Sequence, residues 1–176
     1  ISPRYCLAYF VRAFARSDIG HYTEALEDCA NAVALKEQLE PAALSKVYAL
    51  RGNLRWYLNS TPDERIHDYD LAIELDNAHA AAYLNRASAY KDKGDLDRAL
   101  RDCNRAVALS RSDADMYGTR ASIFLLRRDL QPAIDDLTVA IGLAPEEPRW
   151  YNDRATARAL NGASRDAIHD CNKALD

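Results

Sequence analysis

The stretch "YLNRASAYKDKGDLDRAL" at residues 83–100 recurs in altered form as "YGTRASIFLLRRDLQPAI" at residues 117–134. The second copy begins 34 residues after the first and keeps the Tyr, the Arg-Ala pair, an aromatic residue and an Ala in the same places. Such a period is typical of repeat proteins, in which stacked units share a core that one unit cannot form alone. The fold is therefore predicted to be an array of similar units.

Two signatures set the register of this array. The pattern Tyr-x-x-Arg followed by Ala or Gly begins at Tyr9, Tyr48, Tyr83, Tyr117 and Tyr151. The pattern Ala-apolar-x-Asp-x-x-x-Ala-apolar follows it, beginning at Ala25, Ala99, Ala133, Ala167 and, with Arg in place of the first Ala, at Arg65. Each unit is therefore predicted to contain two helices, A and B, whose small residues allow close packing.

Turn-forming residues separate the two helices of a unit. The segments are "DIGH" at 18–21, "NSTPD" at 59–63, "DKGD" at 92–95 and "NGAS" at 161–164. Their Asp, Ser, Gly and Pro residues supply turn and cap chemistry. Helix A of the second unit is expected to begin early, near Pro41, because Ala42, Ala43 and Leu44 follow that proline.

Composition narrows the class of protein. The chain is 48% hydrophobic with six Gly and six Pro, which favours a helical fold with a sizeable core. Its net charge of -4 and the lack of a basic block argue against nucleic acid as a partner, and no apolar run is long enough for a membrane span. Because it begins at Ile1 and its single Met is Met116, we expect a fragment of a longer array.

The pattern resembles the tetratricopeptide repeat family, whose unit is 34 residues long. In the third unit the resemblance rests on Tyr83, Arg86, Ala87, Tyr90, Ala99, Cys103 and Ala106. It implies an all-α fold, a right-handed α-solenoid of five helix-turn-helix repeats in one domain, residues 1–176. The repeats are predicted at about 6–39, 45–79, 80–113, 114–147 and 148–176.

Several residues depart from the family pattern. Arg16, Arg55 and Arg158 stand where the family has Tyr, and Arg65 stands where it has a small Ala between helices. We expect the second unit to be the least regular in packing, with the side chain of Arg65 extending to solvent.

One charged pair recurs in every unit. The A helices carry Arg12, Arg51, Arg86, Arg120 and Arg154, and the B helices carry Asp28, Asp68, Asp102, Asp136 and Asp170. A structural ladder, with each Arg reaching an Asp of its own or the preceding B helix, is favoured over a row of anion-binding sites.

No catalytic, metal or cofactor site is expected, so the chain is not predicted to be an enzyme. Cys29, Cys103 and Cys171 share one B-helix position and, with Cys6, are predicted to be reduced core residues, which favours a cytoplasmic location. No zinc-ligand spacing, phosphate loop or nucleophile motif is present, and the four His are interpreted as surface or packing residues.

The resemblance implies a concave groove lined by the A helices that holds a peptide or partner segment, and hence a protein-interaction scaffold. The groove candidates are Phe14, Asn53, Trp56, Asn85, Ser88, Thr119, Ser122, Asn152 and Thr156. Asn53 and Asn85 match two positions of the clamp with which some family members bind a C-terminal carboxylate. Ala49, Asp115 and Thr119 replace its cations, so that clamp is not expected here.

Two alternatives remain open at this point. The chain could be a structural spacer whose end repeats stack end to end, since Leu7, Phe10, Val11 and Phe14 form an apolar face at its start. A helical RNA-binding repeat is disfavoured by the acidic charge.

Overall fold

A computed structural model describes residues 3–175, in which ten α-helices and one short 3₁₀-helix follow one another without a strand. The α-helices are α1 Pro3–Asp18, α2 Tyr22–Ala34, α3 Pro41–Tyr57, α4 Pro62–Leu75, α5 Ala80–Asp92, α6 Leu96–Leu109, α7 Ala114–Arg127, α8 Leu130–Leu143, α9 Pro148–Leu160 and α10 Ser164–Leu175. The 3₁₀-helix is Lys36–Gln38. The predicted all-α repeat fold is confirmed.

The helices form two compact units, Ile1–Lys93 with α1 to α5 and Gly94–Asp176 with α6 to α10. Within each unit, consecutive helices of the chain pack against each other. Residues 1–93 are called unit 1 below, and residues 94–176 are called unit 2. Each of them is larger than the two-helix repeats of the sequence pattern. The expectation of one solenoid over residues 1–176 stays a prediction.

The helix boundaries follow from cap and turn chemistry. α3 begins at Pro41, as predicted, and α4 begins at Pro62 after a capping box. In that box the Thr61 hydroxyl accepts from the backbone N–H of Glu64 at 3.4 Å, while the backbone N–H of Thr61 donates to the Glu64 carboxylate at 3.0 Å. Gly94, in the turn after α5, has φ +83, which a residue with a Cβ adopts only with strain.

Small residues bring the helices of unit 1 close together. Gly52 of α3 faces the ring of Tyr69 on α4, and a Cβ at Gly52 would lie 2.6 Å from that ring. Tyr69 holds the position that Cys29 and Cys103 hold in other repeats. The larger ring fits because the second repeat has Gly where the other four have Ala.

Gly118→Ala is predicted to destabilise unit 2 by about 1–3 kcal/mol, because overpacking a filled core forces side chains off their rotamers. A Cβ at Gly118 would lie 2.1 Å from the buried ring of Trp150. Urea unfolding followed by circular dichroism measures the effect. The matched control is Gly142→Ala in α8, where no described atom lies within 4 Å of the added Cβ. The free energy of unfolding of the control should rise by up to about 1 kcal/mol, because Ala has a higher helix propensity than Gly. Equal effects of the two variants would refute the prediction.

The predicted burial of the cysteines is confirmed for Cys6, Cys29 and Cys103 and is wrong for Cys171, which is exposed. Cys171 lies on α10, which packs against α9. The face of α10 that carries Cys171 and Ile168, itself 62% exposed, is uncovered in the described part of the chain.

Within residues 3–175, no helix combines the length and the apolar character that crossing a bilayer requires.

Candidate functional site

A groove of about 540 Å³ opens between helices α1, α3, α4 and α5 of unit 1. Five of the nine predicted groove residues line it: Phe14, Asn53, Trp56, Asn85 and Ser88. They come from three different A helices, and the structure therefore brings together residues that are up to 74 positions apart, from 14 to 88.

An amide pair forms the polar floor of the groove. The Asn53 Oδ1 accepts one hydrogen bond from the Tyr69 hydroxyl and one from the Asn85 Nδ2, both at 2.8 Å. The remaining groups, the Nδ2 of Asn53 and the Oδ1 of Asn85, have no other hydrogen-bond partner among the described residues. One donor and one acceptor therefore stay available to a ligand.

Aromatic side chains form the apolar wall. Phe14 and Trp56 are each 55% exposed, a high value for rings of this size. Tyr57 stacks on Tyr22 with the ring centroids 4.3 Å apart, and the Trp56 ring meets Tyr57 edge-on at 4.9 Å. These ring contacts hold the Trp56 and Tyr57 side chains in place without a ligand.

Charged side chains form another wall of the groove. Among them is Arg65, for which the expectation of a solvent-exposed side chain is wrong. The Arg65 side chain is 7% exposed instead of extending to solvent. Its Nη2 donates to the Asp92 carboxylate at the end of α5, at 2.8 Å, and Lys91 lies beside them on the lining. Arg65 turns inward because α5 supplies this carboxylate within reach.

A family model described as tetratricopeptide repeat matches residues 80–113, which are the predicted third repeat. These residues therefore form a tetratricopeptide repeat.

Solved structures share its fold. MamA 41-end from Desulfovibrio magneticus RS-1 has a TM-score of 0.83 at 16% identity, covering 97% of this chain and 93% of that one. YrrB, a TPR protein with an unusual peptide-binding site, has a TM-score of 0.73 at 17% identity over 96% and 84%. The first TPR of Spaghetti (RPAP3), bound to the HSP90 peptide SRMEEVD, has a TM-score of 0.66 at 26% identity over 69% and 95%. No curated protein matches the chain.

The other four predicted groove residues lie in unit 2, on the A helices of two repeats. Thr119 and Ser122 are on α7, and Asn152 and Thr156 are on α9. The Ser122 hydroxyl donates to the Thr119 carbonyl at 2.7 Å, and the Thr156 hydroxyl donates to the Asn152 carbonyl at 3.0 Å. None of the four lines the groove of unit 1, and their predicted role in binding stays a prediction.

The predicted ion-pair ladder is present in the structure. Signature arginines reach the Asp of their own B helix in these pairs: Arg12 to Asp28, Arg51 to Asp68, Arg120 to Asp136 and Arg154 to Asp170. The Arg12 pair is bidentate, with distances of 2.8 and 2.6 Å, and it lowers the pKa of Asp28 through these hydrogen bonds. Arg86 reaches Asp70 of the preceding B helix at 2.6 Å.

The arginines that depart from the family pattern strengthen this ladder. Arg16, Arg55 and Arg158 each lie one helical turn after the signature Arg and bring a second guanidinium to the same Asp, at 2.5, 2.8 and 2.7 Å. Each signature Arg also lies over the ring of its signature Tyr, at 4.9 to 5.9 Å from the centroid. The conspicuous Tyr-x-x-Arg signature is thus explained by packing.

A serine and a histidine form a hydrogen-bonded pair near the start of α5. The Ser45 hydroxyl donates to the Ala72 carbonyl at 2.8 Å, so the His79 Nδ1 donates to the Ser45 oxygen, also at 2.8 Å. Ser45 is fully buried, and its proton is engaged by the backbone. This pair holds α3, α4 and the start of α5 together and offers no accessible nucleophile.

Acidification is predicted to weaken unit 1 through this pair. Burial lowers the pKa of His79 in the folded protein, so the unfolded chain takes up the proton at a higher pH. The contribution of the neutral imidazole to the free energy of unfolding is fully present above about pH 6.5, and it is lost as the pH drops through the lowered pKa. Urea unfolding at pH 7.5 and 5.5 measures this loss. It should shrink in His79→Gln and persist in His67→Gln, which alters an exposed His; an unchanged loss in His79→Gln would refute the assignment.

Proposed function

We propose that this protein is a non-catalytic interaction scaffold of the tetratricopeptide repeat family, which binds an extended segment of a partner protein in the groove of unit 1. The observation that carries the proposal is the combination of an exposed aromatic wall, Trp56 and Phe14, with the amide pair Asn53 and Asn85. Buried thiols such as Cys6 and Cys29 suit a reducing compartment such as the cytoplasm.

The chemistry of the groove fits a peptide. The Asn53 Nδ2 can donate to a main-chain carbonyl, and the Asn85 Oδ1 can accept from a main-chain N–H. Side chains of the bound segment can lie on Trp56 and Phe14, and a volume of about 540 Å³ holds a few residues. Two similar structures are described in terms of peptides, YrrB with its peptide-binding site and Spaghetti with its HSP90 peptide.

A display library of random linear peptides, selected on the intact chain, tests the proposal. Binders are then measured on Ser88→Tyr, which places a ring in the groove, and on Val139→Tyr, which places the same ring at an exposed position of α8 outside the groove. We expect Ser88→Tyr to abolish binding and Val139→Tyr to preserve it. Equal binding by both variants would contradict the proposal.

End-to-end self-assembly is the second candidate, favoured by the exposed face of α10. Ile168 is 62% exposed, whereas Ile66 and Ile134 at the equivalent position are each 8% exposed. Sedimentation over a wide range of protein concentrations distinguishes the two functions. A mass that rises with concentration would favour assembly, and a constant monomer mass would refute it.

A further inference from the structure

Helix α10 leaves uncovered a face that the other B helices bury. Ile168 and Cys171 lie on this face, called the α10 face below, and both are exposed. The residues equivalent to Cys171 are at most 3% exposed: Cys29, Tyr69, Cys103 and Leu137. In unit 1, Cys29 of α2 belongs to one core cluster with Leu54 of α3. This face of a B helix therefore packs against the A helix of the next repeat.

Helix α1 leaves uncovered the complementary face. Ala8 and Ala15 lie on it, and both are exposed; they define the α1 face below. The residues at these two positions of the other A helices are buried: Val47 and Leu54, Ala82 and Ala89, Met116 and Ile123, and Trp150 and Ala157. In unit 2, Trp150 and Ala157 of α9 belong to one core cluster with Leu137 of α8. The α1 face is thus the one with which an A helix contacts the preceding B helix.

Signature arginines add hydrogen bonds between consecutive repeats. The Arg120 Nη1 donates to the Asn104 Oδ1 of α6 at 2.9 Å, and the Arg86 Nη1 donates to the Asp70 carboxylate of α4 at 2.6 Å. Both acceptors lie two residues after the Asp of the ion-pair signature in their B helix. A donor on the A helix and an acceptor on the preceding B helix therefore fix the register of this contact.

The same donor and acceptor are unused on α1 and α10. The Arg12 side chain is 55% exposed, whereas the other signature arginines are 12% to 19% exposed. Its Nε and Nη2 donate to Asp28, and its Nη1 has no hydrogen-bond partner among residues 3–175. Asn172 of α10 holds the position of Asn104, is exposed and likewise has no partner in the described part of the chain. One chain therefore carries both halves of the contact.

We propose that α10 of one copy packs against α1 of a second copy, in the arrangement that joins a B helix to the next A helix within the chain. Cys171 of the first copy then lies against Ala15 of the second, and Arg12 of the second donates to Asn172 of the first. The inference rests on the second candidate function, end-to-end self-assembly, and names its two faces. Because the two faces differ, association continues beyond the dimer unless a ring closes.

Two substitutions each block one face of the intact chain. Ala15→Asp places a charge on the α1 face, and Ile168→Asp places one on the α10 face. Both positions are exposed, so the fold should persist, which circular dichroism checks. In sedimentation, each variant alone should associate at least about tenfold more weakly than the wild type, because the contact would bury an unpaired charge. Val139→Asp, at an exposed apolar position of α8, is the control and should associate as the wild type does.

A mixture of the two variants tests the direction of the contact. Ala15→Asp keeps an intact α10 face and Ile168→Asp keeps an intact α1 face, so the mixture should form a dimer and nothing larger. If Ala15→Asp alone still dimerised, the α10 faces of two copies would pair with each other and the inference would be overturned.

Asn172→Asp tests the hydrogen bond by a gain of association. The substitution gives α10 the acceptor that Asp70 offers to Arg86, so Arg12 should be bound more tightly. Association should strengthen about twofold to fivefold at low salt. Unchanged or weaker association would overturn this arrangement of the two helices.

The wild type itself separates the inference from the candidate function on which it rests. A mass that stays that of a monomer at every concentration would overturn both. A mass that rises with concentration, and that neither Ala15→Asp nor Ile168→Asp reduces, would overturn the inference alone, because the copies would then associate through another surface.

Discussion

Asp68→Asn is expected to lower the free energy of unfolding of unit 1 by about 3–5 kcal/mol, the usual cost of removing one member of a buried ion pair. Asp68 is fully buried on α4 and pairs with two arginines of α3. The Arg51 Nε donates to its Oδ1 at 2.9 Å, and the Arg55 Nη1 lies 2.8 Å from its Oδ2 without the alignment of a hydrogen bond. The Asn side chain has the same shape as Asp but no charge. It therefore leaves the largely buried guanidiniums of Arg51 and Arg55, 15% and 24% exposed, without a counter-ion.

The control for this prediction is Asp63→Asn. Asp63 pairs with Lys93 in the same unit, but its side chain is 70% exposed, so the loss should stay below about 1 kcal/mol. Urea unfolding followed by circular dichroism measures both variants. If Asp68→Asn costs no more than Asp63→Asn, the ladder does not stabilise the helix pairs in the way described above.

Trp56→Ala is expected to weaken the binding of a selected peptide at least about tenfold, since buried tryptophans commonly dominate interface energetics. Trp56 offers the largest exposed aromatic surface of the groove and is held edge-on against Tyr57. It is one of two tryptophans, and the other, Trp150, is buried in unit 2. A bound peptide would cover Trp56 and leave Trp150 unchanged. Peptide binding should therefore also shift the tryptophan fluorescence emission of Trp56.

Isothermal titration of the tightest selected peptide measures the change. Val139→Ala serves as the control, because Val139 is an exposed apolar side chain, 41% accessible, in unit 2. We expect the control to bind as the wild type does. Similar affinities for the wild type and Trp56→Ala would show that the aromatic wall does not contact the ligand.

The repeat and the ladder could be predicted from the sequence because both depend on local spacing. The 34-residue period, the small residues at helix crossings and the Arg and Asp once per repeat are visible as a pattern. The three extra arginines were visible only as departures from the family. Their role required the structure, which shows Arg55 and its equivalents reaching the same buried Asp as the signature Arg.

The groove could be predicted only in part. Helical periodicity indicates which face carries Asn53, Asn85 and Ser88, but it does not show which side chains of other helices reach that face. Arg65 turns inward because Asp92, 27 residues further along the chain, ends a neighbouring helix there. The position of the Tyr57 ring in the groove similarly depends on its stacking with Tyr22. Such contacts between distant residues leave no periodic signal in one sequence.

A crystal structure of the intact chain with the tightest selected peptide tests the groove assignment most directly. We expect an extended peptide between α1, α3 and α5, with a main-chain amide hydrogen-bonded to Asn85 and a side chain on Trp56. A peptide bound on any other face, with the groove empty, would show that this groove is not the binding site.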